Sequence, residues 1–479
     1  MNGKGFVVNH SFLANQVSRF WYREVEPTLC AYVGIKARSP EFDPDWEKTG
    51  EILKAAELLC SWCAEHAEEG WQVEIVSIPG RTPVLLVDVP GTASGNVLIY
   101  GHMDKQPELT GWRDGLDPWK PKIVGDRLYG RGVADDGYAV FAAMTAIKAL
   151  ESSGGKHPRC LILIEGSEES GSPDLPAYFE LLADRIGTPS LVIGLDSGAG
   201  DYDRLWLTSS LRGIVRGVLS VKILNEAVHS GDAGGIVPTP FQIMGSLLER
   251  LRDTYNGRVK QHLYDLFVDV PEERVTQMNE MATLLGDEVF QKFPWVSKYA
   301  RARGRHRTHF DHISANTWEP SVAEVGMDGM PAIKDAGNVI LAGLSLKLAI
   351  RVPPTANIAA ALKQVKEHLE HDPPFRAEVT FEGGTASGWN APPLAPWLEQ
   401  SLNTASQAHF GKPMVQMGEG GTIPFMAMLG ERFPQAQFVI TGVLGPKSNA
   451  HGPNEFLHIP TAKKLTACMA QVLADHANQ

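Results

Sequence analysis

The sequence is poor in cysteine and has no long apolar run. Five cysteines among 479 residues are too few for a disulfide scaffold and favour a reducing compartment. The opening residues, MNGKGFVVNHSFLANQ, lack the apolar stretch of a secretory signal. No run of about 18 uninterrupted apolar residues is present to span a bilayer. We therefore predict a cytoplasmic protein without a membrane partner.

Positive charge is also scarce. The chain has 44 Lys and Arg against 56 Asp and Glu, a formal net charge of −12, which repels a phosphate backbone. A basic cluster at Arg301–Arg307 breaks this trend, and we interpret it as a solvated surface stretch rather than a nucleic-acid patch. The balance of charge predicts no nucleic-acid partner.

Short, largely apolar runs alternate with helical patterns through the first 210 residues. Such runs are typical of strands that are buried on both faces. Their alternation with helical patterns predicts an α/β fold, with a mostly parallel sheet flanked by helices. The runs are Val84–Val89, Asn96–Tyr100, Cys160–Ile164 and Leu191–Leu195.

The pattern changes near residue 211. Gly213–Leu224 is typical of an edge strand and Leu344–Val352 of a half-buried strand, and helical patterns lie between and after them. Strands that carry helices on one face predict an inserted α+β domain. The earlier pattern returns after residue 384, with Gln437–Gly442 as a further strand. We predict one discontinuous domain at 1–212 and 384–479, interrupted by an insert at 213–383.

Acids and histidines follow the predicted strands at the points where the strands end. Ligands gather at the carboxyl ends of the strands in an open parallel sheet, so these side chains are expected to converge on one edge. A further aspartate lies in the loop GRGVADDG, before a helix. The candidate metal ligands are His102, Asp135, Glu169, Asp196 and His451.

This combination of side chains predicts a pair of divalent ions. Imidazole and carboxylate without thiolate favour zinc, cobalt or manganese. Two ions about 3.5 Å apart need one shared carboxylate, and each also needs a carboxylate and a histidine of its own. Asp104, two residues after His102, can orient that imidazole, and Glu168 is free to act as a general base. Taken singly, each residue is more often a helix cap or a solvated loop residue, so the prediction depends on their joint placement.

The motifs GHMDKQP, GRGVADDG, EGSEESGS, LDSGAG and GPNEFLHI occur in this order along nearly the whole chain. They resemble the successive motifs of the co-catalytic zinc peptidases, which include carnosine dipeptidases, aminoacylases, succinyl-diaminopimelate desuccinylases and glutamate carboxypeptidases. The resemblance implies a catalytic domain that binds two zinc ions per subunit, with manganese or cobalt as alternatives. It also implies that the insert is a dimerisation, or lid, domain and that the protein is a homodimer.

Roles are carried over from this resemblance position by position. Asp135 becomes the bridging carboxylate, followed by a cis peptide bond. His102 and Asp196 complete one metal site, and Glu169 and His451 complete the other. Glu168 becomes the general base, and Asp104 becomes the residue that orients His102.

The insert carries further matches to the same family. The segment VHSGDAGGIVPTP places His229 where the family's histidine reaches into the partner subunit's active site to stabilise an oxyanion. The segment LAIRVPP places Arg351 where related dipeptidases bind the substrate's terminal carboxylate. The segment MGEGGTIPF resembles the substrate loop, with the candidate binding residues Glu419, Gly420, Gly421 and Thr422.

These residues together predict a metal-dependent hydrolase that cleaves the amide bond of dipeptides or small peptides. An N-acyl amino acid deacylase, similar to the desuccinylases, remains open because its metals and sheet would be the same. An inactive metal-binding scaffold is the alternative from a different class of protein.

Overall fold

A computed structural model describes residues 8–297 and 308–479 of the chain. The basic cluster Arg301–Arg307, which the sequence suggests is a solvated surface stretch, lies outside the described residues. None of the helices within the two described stretches combines the length and the apolarity that crossing a bilayer requires.

The elements alternate along the chain as the sequence pattern indicates. The strands are β1 Gln72–Val76, β2 Val84–Val89, β3 Ala93–His102, β4 Lys122–Val124, β5 Arg127–Tyr129, β6 Pro158–Glu165, β7 Leu191–Gly194, β8 Trp206–Leu211, β9 Gly213–Lys222, β10 Val228–His229, β11 Ser321–Asp328, β12 Val339–Ile340, β13 Gly343–Val352, β14 Glu378–Ala386, β15 Trp389–Asn390, β16 Val415–Glu419, β17 Gln437–Ile440 and β18 Phe456–His458. The α-helices are α1 His10–Phe20, α2 Glu26–Val33, α3 Trp46–Thr49, α4 Glu51–His66, α5 Ala139–Ser152, α6 Leu175–Leu181, α7 Ala183–Ile186, α8 Ser230–Ala233, α9 Pro240–Leu251, α10 Glu272–Leu285, α11 Glu288–Gln291, α12 His309–Thr317, α13 Ile358–Glu370, α14 Pro396–His409, α15 Pro424–Arg432 and α16 Ile459–His476.

The chain divides into two compact units. The first unit comprises Met1–Thr208, Ala391–Gln416 and Met428–Gln479. The second unit comprises Ser209–Asn390 and Met417–Ala427. The first unit is therefore discontinuous in sequence, because the chain leaves it within β8 and returns to it twice.

The first unit is built on a six-stranded sheet in the order β1-β2-β6-β3-β7-β17. β3 runs parallel to both β6 and β7, and β17 runs parallel to β7. The predicted α/β class, with a mostly parallel sheet, is confirmed. β2 is an exception, since it pairs antiparallel with both β1 and β6. Only three residues separate β2 from β3, too few for the crossover that a parallel arrangement needs.

Helix α5 lies almost wholly inside the first unit. Every residue from Ala139 to Ile147 is buried, and the helix packs against α16 and β3. Its alanines favour the helix intrinsically and allow close packing on all sides. The helix begins directly after the loop that carries Asp135, so the buried helix anchors that loop at its carboxyl end.

The second unit contains a four-stranded antiparallel sheet in the order β11-β13-β9-β14. Side chains of β9 and β13 alternate between buried positions and partly buried or exposed ones, and helices α9 and α13 pack on the sheet. The prediction that Gly213–Leu224 forms an edge strand is wrong, because β9 lies between β13 and β14. Alternation along a strand reports which face is buried, and it carries no information about neighbours on either side.

Candidate active site

The carboxyl ends of three parallel strands place four of the candidate side chains at one edge of the first unit's sheet. β3 ends at His102, and Asp196 follows the end of β7 by two residues. Glu168 and Glu169 lie in a single 3₁₀ turn just after β6. Because β3, β6 and β7 run in the same direction, these side chains reach the same place, as expected for the carboxyl ends of parallel strands.

Asp135 lies at the centre of this group. Its Oδ1 atom is 3.1 Å from Nε2 of His102, and its Oδ2 atom is 3.1 Å from Nε2 of His451. The same His451 nitrogen is 3.2 Å from Oε2 of Glu169. The peptide bond between Asp135 and Asp136 is cis. One carboxylate therefore faces two imidazoles, one with each of its oxygens.

Two further acids complete the cluster. Ligand atoms of His102, Glu168 and Asp196 lie within 4.8 Å of one another, as do those of His102, Asp135 and Glu169. His102 is fully buried and its Nε2 atom is 3.9 Å from Oδ2 of Asp196. The structure thus brings all five candidate ligands and the candidate base together within the first unit.

The cluster holds more negative charge than its two imidazoles can neutralise. Burial, followed by repulsion from Asp135 and Glu169, raises the pKa of Asp196 to about 8. Burial and repulsion from Asp196 likewise raise the pKa of Glu168. Burial alone would lower the pKa of His102, but hydrogen bonds to Asp104 and Asp135 outweigh it and raise the pKa. Converging carboxylates of this kind are stable when they are paired or bound to metal.

The donor set fits divalent metal ions. Two imidazole nitrogens and several carboxylate oxygens, with no thiolate among them, match the ligands that zinc, cobalt and manganese accept. The two oxygens of Asp135 point at different histidines, as a carboxylate shared by two ions would. The residues present are therefore compatible with a metal pair.

Asp104 supports the cluster in two ways. The backbone oxygen of Asp104 is 3.1 Å from Nδ1 of His102, and its Oδ1 atom is 3.4 Å from the same nitrogen. Its carboxylate also accepts hydrogen bonds from the backbone N–H groups of Glu168, at 3.1 Å, and Glu169, at 3.0 Å. The sequence suggests the contact to His102 but gives no sign of the second role.

Glu455 is a supporting residue that sequence reasoning missed. This fully buried carboxylate accepts hydrogen bonds from the backbone N–H groups of Gly132, Ala134 and Asp135. It thereby holds the loop that presents Asp135. The available signal was its position in the motif GPNEFLHI, four residues after His451.

The second unit carries the remaining candidates. Nη1 of Arg351, on β13, donates a hydrogen bond of 2.5 Å to Oγ1 of Thr422. Nδ1 of His229 accepts from the backbone N–H of Gly231 at 3.1 Å, and the residue is exposed. Arg351 and Thr422 are therefore brought together, whereas His229, exposed at the end of β10, makes no described contact with either.

The rest of the loop that resembles a substrate loop is arranged around Arg212, which the sequence analysis does not single out. Nε of Arg212 donates to the carbonyl oxygen of Gly420 at 3.1 Å. Glu419 is the last residue of β16. Desolvation lowers the pKa of Lys292, and the negative charge of Glu419 opposes that shift. Gly421 is exposed, with open space where a Cβ atom would stand.

Comparison with known proteins places the chain in a family. The model of the family described as Peptidase family M20/M25/M40 matches residues 98–475. Cysteinylglycine-S-conjugate dipeptidase of Corynebacterium striatum is 26% identical over 79% of this chain and 82% of that protein. Beta-Ala-His dipeptidase of Homo sapiens is 28% identical over 73% of this chain and 69% of that protein.

Solved structures share the fold. A dipeptidase from Saccharomyces cerevisiae superimposes with a TM-score of 0.82 at 20% identity, over 98% of this chain and 99% of that chain. Human carnosine dipeptidase 1 superimposes with a TM-score of 0.80 at 22% identity, over 99% of this chain and all of that chain. The resemblance drawn from the sequence motifs is confirmed, and the chain belongs to peptidase family M20/M25/M40.

Proposed function

We propose that this protein is a metal-dependent dipeptidase that hydrolyses the amide bond of dipeptides or small peptides. The observation that carries the proposal is the arrangement around Asp135, whose two carboxylate oxygens each lie 3.1 Å from a different histidine nitrogen. The dipeptidase names of relatives that match most of the chain support the substrate class.

We propose two divalent ions per subunit, with Asp135 shared between them. His102 and Asp196 would hold one ion, and Glu169 and His451 would hold the other. Zinc is the proposed metal, with manganese or cobalt as the alternatives that the same donors accept. When bound, such ions polarise the amide carbonyl and lower the pKa of water.

Glu168 is the proposed general base and acid. Its carboxylate lies in the group formed with His102 and Asp196, and among the described residues none donates a hydrogen bond to it. Glu168 takes a proton as water adds to the carbonyl carbon, and it then delivers that proton to the leaving amine nitrogen. Asp104 fixes the turn on which Glu168 stands.

The proposed roles in the second unit concern binding. Arg351 offers a planar pair of N–H groups to the terminal carboxylate of the substrate. The loop residues Glu419, Gly420, Gly421 and Thr422 are proposed to contact the substrate. His229 is proposed to act in the active site of a partner subunit, where it stabilises the oxyanion, so we propose a homodimer.

We also propose that the protein works in the cytoplasm. All five cysteines, which lie within the described residues, are free thiols, and this supports a reducing compartment. The proposed partners are small peptides, with no membrane or nucleic acid involved.

The test combines metal analysis with a substrate screen. Protein treated with a chelator is reconstituted with zinc, manganese or cobalt, and bound metal is counted by mass spectrometry. Each form is then assayed with Ala-Gly, with an Xaa-His dipeptide and with N-succinyl-diaminopimelate. We expect hydrolysis of at least one dipeptide to depend on added metal and to disappear when the metal is removed.

The same screen separates the alternatives. Preference for the N-succinyl substrate would favour the deacylase. A match to a succinyl-diaminopimelate desuccinylase of Anaplasma marginale supports this alternative, but it covers 27% of this chain. If the protein binds no metal and added metal does not activate it, the inactive scaffold becomes the favoured alternative.

A further inference from the structure

Arg212 is a buried cation that contacts only neutral acceptors among the described residues. It lies between β8 and β9 with 6% of its surface exposed. A buried charge with no counter-ion is costly, so the arrangement calls for a reason. Its guanidinium donates to the carbonyl oxygens of Gly420 at 3.1 Å, Glu319 at 3.2 Å and Ala315 at 3.5 Å, and to Oγ of Ser321 at 3.2 Å.

Thr422 connects Arg212 to Arg351. The hydroxyl of Thr422 donates to the carbonyl oxygen of Arg212 at 2.5 Å and accepts from Nη1 of Arg351 at 2.5 Å. A hydroxyl has one proton to donate, so the bond to Arg212 fixes which way the oxygen lone pairs of Thr422 point. The position of the Arg351 guanidinium therefore depends on the backbone of Arg212.

The loop itself is packed against the same arginine. A Cβ atom on Gly420 would lie 3.0 Å from Nη2 of Arg212 and 2.5 Å from Oδ1 of Asn316. Glycine is therefore needed for this close approach. Arg212 holds the loop at Gly420 through its side chain and at Thr422 through its backbone.

The surroundings favour an anion. Burial and the neighbouring Arg351 lower the pKa of Arg212 to about 9, and burial and Arg216 lower the pKa of Arg351. Arg351 uses one N–H group in its described hydrogen bond, while a guanidinium has five. The remaining N–H groups can form the two parallel bonds by which arginine binds a carboxylate.

We propose that Arg212 is a positioning residue, which sets the Gly420–Thr422 loop and, through Thr422, the Arg351 guanidinium, so that the enzyme selects substrates ending in a free carboxylate. This inference rests on the proposed function, because it concerns the same substrates. It adds Arg212, the residue on which the position of the carboxylate-binding Arg351 depends.

The experiment compares Arg212→Met with Arg216→Met. Both variants remove one positive charge near Arg351, but Arg216 is exposed and has no described hydrogen bond to the loop. Ala-Gly and its C-terminal amide are the substrates, and kcat and KM are measured separately. We expect Arg212→Met to raise KM for Ala-Gly by about tenfold or more, the effect of losing a charge-assisted contact, and to raise KM for the amide much less.

Thr422→Val tests the same inference with the buried Arg212 left in place. It should raise KM for Ala-Gly in the same way, and combining it with Arg212→Met should add little, because both act on one contact. Arg212→Lys keeps the charge but can reach fewer acceptors. We therefore expect its KM for Ala-Gly to lie between those of wild type and Arg212→Met.

Three outcomes would overturn the inference: wild-type KM in Arg212→Met, an equal rise in Arg216→Met, or an equal loss with the amide substrate. If wild-type protein cleaves no dipeptide, the proposed function fails by itself. The inference can still be judged by calorimetric binding of N-acetylglycine and N-acetylglycinamide. A preference for the carboxylate that Arg212→Met abolishes supports it, and no preference rejects it.

Discussion

Arg131 and Glu455, 324 positions apart in the chain, form a buried ion pair that joins the two loops of the candidate metal centre. Nη1 of Arg131 lies 2.8 Å from Oε2 of Glu455, and the side chains are 1% and 0% exposed. Nη2 of Arg131 donates to the carbonyl oxygens of His451, at 3.3 Å, and Gly452, at 2.7 Å. Since Glu455 holds the loop that presents Asp135, the pair fixes Asp135 relative to His451.

Breaking this pair should loosen the metal centre. We expect Glu455→Gln to lower metal affinity by about 10- to 100-fold, the range for residues that orient metal ligands. Competition with a chelator of known affinity measures the change. Without metal, urea unfolding should show a loss of about 3–5 kcal/mol, because removal of one partner leaves a buried charge unpaired.

The matched control for Glu455→Gln is Lys412→Met. Lys412 pairs with Asp203 at 2.8 Å in the same unit, but both side chains are largely exposed. Exposed pairs contribute roughly 0–1 kcal/mol, so metal affinity and stability should stay close to wild type. Unchanged metal affinity in Glu455→Gln would show that the loops hold their positions without the pair.

Glu168 and Glu169 are neighbours with different proposed roles, and substitution separates them. Glu168→Gln should keep two ions per subunit and lose about 10²- to 10⁴-fold in kcat, the usual contribution of a general base. Glu169→Gln should instead bind less metal. Metal analysis and steady-state kinetics on both variants check this. Near-normal turnover in Glu168→Gln would show that Glu168 is not the general base.

Asp104→Asn tests whether Asp104 holds the turn that carries the proposed general base, Glu168. The amide keeps the size of the side chain but places N–H groups where the carboxylate accepts from the backbone of Glu168 and Glu169. We expect kcat to fall by about 10- to 100-fold through misplacement of these two residues. A crystal structure of the variant should show a displaced turn at Glu168–Ser170. An unchanged turn with unchanged kcat would contradict this role.

The convergence of His102, Asp196 and the Glu168–Glu169 pair could be predicted from the sequence. Apolar runs identify buried strands, helical patterns between them indicate parallel neighbours, and parallel strands end at one edge. The order of the motifs adds His451, which follows the end of β17 by eleven residues and which spacing alone would leave unplaced.

The supports of the site could not be predicted in this way. Arg131 and Glu455 meet across 324 positions, and nothing in the local pattern of either residue indicates a partner. Arg212 follows a strand like many surface arginines, and its burial depends on the carbonyl groups around it. Such contacts are set by tertiary packing, which periodicity and composition do not encode.

His409, at the end of α14, should make the protein sensitive to acid. Burial, and then the nearby charges of His10 and Lys464, lower the pKa of His409 to about 4. Its Nε2 atom is buried without a hydrogen-bond partner among the described residues. The unfolded chain binds the proton at about pH 6.5, whereas the folded protein resists it, so stability falls as the pH drops from about 6.5 to 4.

We expect His409→Gln, which carries no charge at any pH, to reduce this loss. The shift corresponds to at most about 3.5 kcal/mol at the acidic end, since each pKa unit is worth about 1.4 kcal/mol. Urea unfolding of chelator-treated protein at pH 7.0, 6.0, 5.0 and 4.5 measures it, with the exposed His371→Gln as the control. At pH 7 His409→Gln and wild type should differ little, and the variant should gain relative stability at each lower pH. Parallel stability curves for the two proteins across this range would show that His409 is protonated as readily in the folded protein as in the unfolded chain.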